Sequence, residues 1–230
     1  MKTSCLFVIA SLVVLAVARA DLTIVQKIDG AEGLREVTME VKGDKARVEV
    51  NPQVTTIVDA KTGEVTNILN DKKMVMRISG EQSKKMAEMA KSFVKEEAPD
   101  QQTPKATGKT EVINGHETKE YVTDSPKFHA SYWVATDYPN AQEILTQMAV
   151  LRKGAFASLT QGMPDYRMLP GLPLRTVIKI PDQPEITSTI ESVSTASLPD
   201  TDFTAPAGYS EMKMPDMFGK PDAGTQPKQP

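Results

Sequence analysis

Cysteine is all but missing: Cys5 is the only one among 230 residues. It lies inside the N-terminal segment read below as a cleaved leader, so the exported chain carries no thiol. That excludes disulfides and cysteine-ligated metals, and leaves stability to core burial alone. Histidine is scarce as well, with only His116 and His129. Aromatic residues make up 5%, with one tryptophan, too few for a platform that stacks bases or sugars. Basic residues do not dominate either. Lys and Arg number 27 against 30 Asp and Glu, and losing Lys2 and Arg19 with the leader moves the net charge from −3 to about −5. A nucleic-acid partner needs a basic face to gather phosphates, so none is expected. No stretch reaches eighteen apolar residues, so the mature chain is expected to have no transmembrane segment.

The N-terminus reads as an address. Met1-Lys2 is a short basic start, Leu6 to Ala18 is apolar and uncharged, and Ala18-Arg19-Ala20 is a small-x-small cleavage site followed by Asp21. A signal peptide over residues 1–20, cut after Ala20, predicts a periplasmic or extracellular protein. Cys5 precedes the apolar run and is no lipidation site.

From residue 21 to 80 the pattern alternates with period two. Val37, Met39 and Val41 alternate with polar neighbours, Gly43-Asp44 turns, and Ala46, Val48 and Val50 alternate again. Lys61-Thr62-Gly63 and Asn70-Asp71 predict further turns. Met74, Met76 and Ile78 share one strand face. The period changes over 81–98, where Met86, Met89, Ala90, Phe93 and Val94 mark one side of a helix starting at Ser79 or Gly80. Pro99 to Gly108 is a polar linker. Strands resume around Asn114-Gly115, a type I′ hairpin signal, and again from Phe128 to Thr136. Asn140 and Glu143 resemble a helix cap, ahead of a helix through Ile144, Met148, Leu151, Ala155 and Leu159. Two closing strands are predicted at 174–180 and 185–195. Proline is sparse early and dense late, with six between Pro199 and Pro230. The expected organisation is α+β: one domain over 21–210, a meandering antiparallel sheet with two inserted helices, and a disordered Pro-rich tail over 211–230.

Catalytic motifs fail on inspection. His116-Glu117 begins H-E-x-x-H but lacks the second histidine and falls on a strand, where neighbours point to opposite faces. It reads as an exposed turn histidine. Gly108-Lys109-Thr110 ends like a phosphate loop but lacks the first glycine and leads into a strand, not a helix. Ser92-x-x-Lys95 and Lys61-Thr62-Gly63 stand in the wrong order for a penicillin-recognising site. Met212, Met214 and Met217 form a thioether cluster without supporting His or Cys. No catalytic residue, metal or cofactor is expected, and the protein reads as a non-enzyme.

The order of several phrases carries a resemblance. They are Val58-Asp59-Ala60-Lys61-Thr62-Gly63-Glu64, Ile113-Asn114-Gly115 with Tyr121, Tyr132-Trp133-Val134-Ala135, Gly171-Leu172-Pro173-Leu174, and Phe203-Thr204-Ala205-Pro206-Ala207-Gly208-Tyr209. Together they resemble the bacterial envelope proteins grouped as domain of unknown function 4412. More distantly the chain is similar to the LolA-like and LolB-like lipoprotein carriers. Thr118 departs from the first family, which often carries a cysteine there, and this removes a redox reading. The resemblance implies a strongly curved, half-open antiparallel barrel whose helices pack on one face, and in the carriers that concavity holds acyl chains.

The expectation is therefore an envelope protein that binds a lipid or a lipoprotein acyl chain between sheet and helices. A chain of about sixteen carbons offers roughly 12 kcal/mol of gross transfer energy, at about 0.8 kcal/mol per methylene. Methionine adapts to irregular apolar shapes. Face periodicity accordingly picks Met39, Met74, Met76, Met86, Met89, Phe93, Ile144 and Met148 as the lining. Trp133 reads equally as a core anchor. The alternative is an interaction or sensor module gripping another envelope protein without a small ligand.

Overall fold

A computed structural model describes residues 20–93, 103–126, 128–152 and 165–212. Six strands come first, joined by tight turns: β1 (Leu22–Asp29), β2 (Arg35–Lys42), β3 (Lys45–Asn51), β4 (Val54–Asp59), β5 (Val65–Leu69) and β6 (Met74–Ile78). The turns are built as the sequence predicts. Gly43 and Gly63 take left-handed φ of 59° and 74°, which glycine adopts without a Cβ penalty. Asp59 Oδ1 accepts from the backbone N–H groups of Lys61 and Thr62, both at 2.9 Å, which closes the β4–β5 turn.

Helix α1 (Gly80–Phe93) follows. Ser79 caps it reciprocally: Gln82 N–H donates to Ser79 Oγ at 3.3 Å, and Ser79 N–H donates to Gln82 Oε1 at 2.9 Å. This is a capping box. Gly80 is obligatory for packing, because a Cβ there would lie 1.9 Å from the Thr62 carbonyl oxygen. The β4–β5 turn and the start of α1 are thereby pressed backbone to backbone.

The second half contributes β7 (Lys105–Ile113), β8 (His116–Asp124), β9 (His129–Ala135), helix α2 (Ala141–Met148), β10 (Leu172–Lys179), β11 (Ile186–Ser194) and β12 (Ser210–Met212). Asn114 and Gly115 turn β7 into β8 with φ of 50° and 81°, the type I′ hairpin predicted. Two expectations for α2 need correction. Asn140 sits at its start in the left-handed conformation and makes no side-chain cap. The α-helix ends at Met148 and tightens into a 3₁₀ turn over Ala149–Arg152. The positions expected beyond, Ala155 and Leu159, lie outside the described residues.

Among the described residues, twelve strands form one open sheet in the order β12-β6-β5-β4-β3-β2-β1-β11-β10-β9-β8-β7, and every pairing is antiparallel except β12 with β6. The join between the halves is non-local, with Thr23 of β1 opposite Ser194 of β11. The main core unites Leu22, Ile24, Val41 and Ala46 from β1–β3 with Ile190, Leu174, Leu172, Ala135 and Ile113 from the second half. Ala141, Ile144 and Leu145 of α2 pack into the same core.

The sequence did not predict the segment after β11. It forms a 3₁₀ turn over Asp200–Phe203 and then β12. Phe203, Leu198, Ala205 and Tyr209 pack on Ile57, Ile68 and Val75. Residues 198–212 thus strap the outer strands, and Glu211 and Met212, expected in the tail, belong to the sheet. The rest of that tail, residues 213–230, and the leader, residues 1–19, lie outside the described residues.

Candidate functional site

Cross-strand pairing decides what each face of β1–β6 offers, because residues directly opposite share a face. Met39 lies beside Val48, Val48 beside Thr56, Thr56 beside Asn67, and Asn67 beside Met76. The adjacent row runs Val41, Ala46, Val58, Val65 and Ile78. A third contains Val54, Leu69 and Met74. One face is therefore apolar across five strands. Its polar insertion is the pair Thr56 and Asn67, where Thr56 Oγ1 donates to Asn67 Oδ1 at 2.9 Å.

This is also the face of the main core. Met39 and Met148 pack against the cluster that contains Ile144, so three of the predicted lining residues come together. Met74 and Met76 continue the same face on β6 and are half-buried. Among the described residues, Met86 and Met89 are not in the core clusters. They are 37% and 49% exposed on α1, so helical periodicity located the helix but not the surface these side chains meet. Phe93 ends α1, and its side chain lies outside the described residues. Trp133 is half-buried against the main core.

The opposite face is charged and carries the strap. Arg47 donates to Glu40 at 2.8 Å and to Glu49 at 2.7 Å. Arg77 pairs with Glu64 and Glu211, each at 3.3 Å. Two clefts flank the strap here. One of about 340 Å³ is lined by Arg47, Thr55, Ile68, Asn70, Thr201, Asp202 and Pro206. One of about 310 Å³ lies among Lys45, Asp59, Glu64, Arg77 and Phe203. Periodicity alone did not indicate either. Lys42 ties the strap to the sheet through Asp200 at 2.8 Å, and that hydrogen bond and charge raise the Lys42 ammonium above its ordinary pKa while lowering the Asp200 carboxyl. Leu198 N–H donates to Asp21 Oδ2 at 2.8 Å.

The histidines are placed apart. His116 starts β8, and His129 pairs with Asp124 at its far end. Eight residues of strand separate the two positions by about 27 Å. His116 is not the exposed turn histidine expected: it is half-buried with its ring 4.9 Å from that of Tyr138. Thr118 is fully buried and donates to the Glu111 carbonyl at 2.7 Å, a structural role at the position where the resembling family often has cysteine. Glu120 is 7% exposed. Burial pushes its carboxyl up, but bonds from Thr107 at 2.8 Å and Lys109 at 3.0 Å hold it below the ordinary value. Among the described residues, no group of three or more His, Cys, Asp or Glu could hold a metal ion. Among them, too, no helix is long and apolar enough to cross a membrane.

An open, mainly antiparallel sheet with an apolar face and an inserted helix defines the class. Residues 23–209 match the family described as Domain of unknown function (DUF4412), and the chain belongs to that family. Curated proteins return no match. Among solved structures, PNGF-II is similar at 17% identity and a TM-score of 0.37, over 84% of this chain and 31% of that one. The chain thus spans about a third of the length of PNGF-II. A DUF1329 family protein from Desulfovibrio piger is similar at 10% identity and a TM-score of 0.34, over 82% of this chain and 91% of that one. A LolA superfamily protein from Nitrosomonas europaea is similar at 10% identity and a TM-score of 0.31, over 80% and 89% respectively.

Proposed function

We propose that this protein binds an apolar ligand, a lipid or a lipoprotein acyl chain, between the apolar face of β1–β6 and the helices. In this reading it is exported to the cell envelope by the leader over residues 1–20 and is not an enzyme. The observation that carries the reading is the row from Met39 to Met76, on a face that is apolar apart from the bonded pair Thr56 and Asn67. It crosses five strands on the face where Ile144 and Met148 also pack. Five strands span about 19 Å at the usual spacing, close to the length of a sixteen-carbon chain. The half-buried methionines at both ends of the row suit a ligand of variable shape, because an unbranched thioether repacks easily.

The reading includes a sheet curved into a half-open barrel around that face. Two contacts support the curl. Asn114, at the β7–β8 turn, donates through its side chain to the Ile190 carbonyl on β11. Arg175 on β10 pairs with Glu111 on β7 at 2.8 Å. Each contact bridges three strand spacings, about 14 Å in a flat sheet, and bending brings such partners together. The two clefts beside the strap lie on the other face and are lined by charged side chains, Arg47 and Asp202 in one and Lys45, Asp59, Glu64 and Arg77 in the other, which fits them poorly for acyl chains.

The test is native mass spectrometry of residues 21–230, purified from a bacterial periplasm without detergent, with lipid analysis of the solvent extract. A discrete adduct matching an extracted lipid is expected. An apo mass that takes up no lipid when lipids are offered overturns the proposal.

A further inference from the structure

We infer that Asn114 is a modification site: its side-chain amide is lost by ring closure onto Gly115, and the loss releases the β7–β8 hairpin from β11. The inference goes beyond ligand binding and stands without it. Of the five asparagines, Asn114 alone is followed by glycine; the others precede Pro52, Ile68, Asp71 and Ala141. Asn114 and Gly115 are both exposed, at the turn between β7 and β8. Among the described residues, no atom beyond its two chain neighbours lies within 4 Å of where a Cβ on Gly115 would stand, so the turn is uncrowded.

The step balances within the turn and water. The Gly115 nitrogen attacks the side-chain carbonyl carbon of Asn114. The bond from that carbon to Nδ2 breaks, and Nδ2 leaves as ammonia with the proton given up by Gly115. Water then opens the succinimide ring at either carbonyl, leaving Asp or isoaspartate. Asparagine is among the thermolabile residues, and a following glycine has no side chain to hinder the attack.

The same amide holds the hairpin. Its Nδ2 donates to the Ile190 carbonyl, 76 residues away in sequence. The pairing of β10 with β11 runs only as far as Arg175 opposite Thr189, so Asn114 reaches β11 one residue past its end. The nitrogen that Ile190 holds is the one that ring closure must expel, so the contact slows the modification. Once the amide is gone, an ionised carboxylate stands in its place, and a carboxylate only accepts. It cannot donate to the Ile190 carbonyl and is repelled by it. Isoaspartate also adds a backbone carbon to a turn built on φ of 50° and 81°. The release is therefore one-way.

The full mature chain, residues 21–230, tests this by ageing at mildly alkaline pH, followed by peptide mass mapping and hydrogen exchange. Amide-to-acid conversion is expected at Asn114 ahead of Asn51, Asn67, Asn70 and Asn140. The same chain held in urea should convert at least about fivefold faster, the factor that one neutral hydrogen bond provides. In the converted, folded chain, exchange around Ile190 and the β7–β8 turn should rise by about the same factor, while β4 and β5 keep their rates. Asn114→Gly suits the left-handed turn and removes the amide without adding charge, and should show the same rise without ageing. Asn114→Gln, one methylene longer, should keep its amide through ageing.

Conversion at Asn114 no faster than at the other asparagines overturns the modification site. Equal rates in the folded and the urea-held chain overturn the protective role of the contact. Conversion with unchanged exchange at Ile190, or an Asn114→Gly that exchanges like the wild type, overturns the release. Lipid uptake enters none of these readings, so the failure of this inference and the failure of the apolar-ligand reading are separately visible.

Discussion

Replacing Phe203 by Ala should loosen the strap without touching the apolar face. Phe203 is 5% exposed and packs among Ile57, Ile68 and Val75, with Leu198, Ala205 and Tyr209 around it. Truncating a core phenylalanine costs about 3–5 kcal/mol. This cluster lies at the sheet margin, and the strap can detach instead of holding a cavity, so the loss is capped by what fastens residues 198–212. The other fasteners are Lys42 with Asp200 and with the Leu198 carbonyl, Leu198 with Asp21, Arg77 with Glu211, Tyr209 with Asn70, and the short β12. Each exposed ion pair contributes at most about 1 kcal/mol. A global loss of about 2–4 kcal/mol follows, lowering Tm by roughly 4–16 °C for a chain of this size. Urea unfolding followed by far-UV circular dichroism measures it, and hydrogen exchange should show residues 198–212 opening ahead of β1–β3. Lipid uptake should stay at the wild-type level, because Phe203 and the Met39–Met76 row occupy opposite faces. A loss below about 1 kcal/mol, or a loss of uptake with the fold intact, refutes this assignment of faces.

Met39→Gln combined with Met76→Gln should cut retained lipid severalfold in native mass spectra while costing little stability, since both side chains are only half-buried. Gly80→Ala should destabilise by about 1–3 kcal/mol by thermal melting, against the gain of up to about 1 kcal/mol usual for this change in a helix, because the new methyl would meet the Thr62 carbonyl oxygen at 1.9 Å. Glu120 titrates below its unfolded value in the native protein, so the stability it contributes is full above pH about 4.5 and is lost as pH falls through its lower native pKa. Glu120→Gln should flatten that acid limb of the stability–pH curve measured by urea midpoints, and an unchanged limb counts against the bonds from Thr107 and Lys109.

Local chemistry made the hairpins legible. Gly43, Gly63 and Asn114-Gly115 dictate positive φ where the structure has it, and alternation around them fixes which residues share a face. Ser79 was legible as a helix start, and the reciprocal bond from Gln82 lay in the same four residues. Non-local choices were not legible. Nothing in β1 announces that β11, more than 160 residues later, will pair with it. The strap was half legible, since Phe203 to Tyr209 stood out as a phrase, but a short parallel strand has no period to detect. Met86 and Met89 show the limit of helical periodicity, which marks a stripe without naming what it meets.

Strict alternation gives this sheet two separable roles. A one-residue shift in any of β2–β6 would exchange its apolar and charged faces, so the turns that fix the register also fix the site. The Asp59–Gly63 turn is the tightest of these constraints, because α1 starts directly on it through Gly80. On one side, Ile57, Ile68 and Val75 form an apolar patch among Arg47, Arg77 and their carboxylates, and residues 198–212 cover that patch. On the other, the rows from Met39 and Val41 across to Met76 and Ile78 need an apolar cover, and α2 supplies part of it from the β10 end. A second, exchangeable cover on that face is what a bound acyl chain would be.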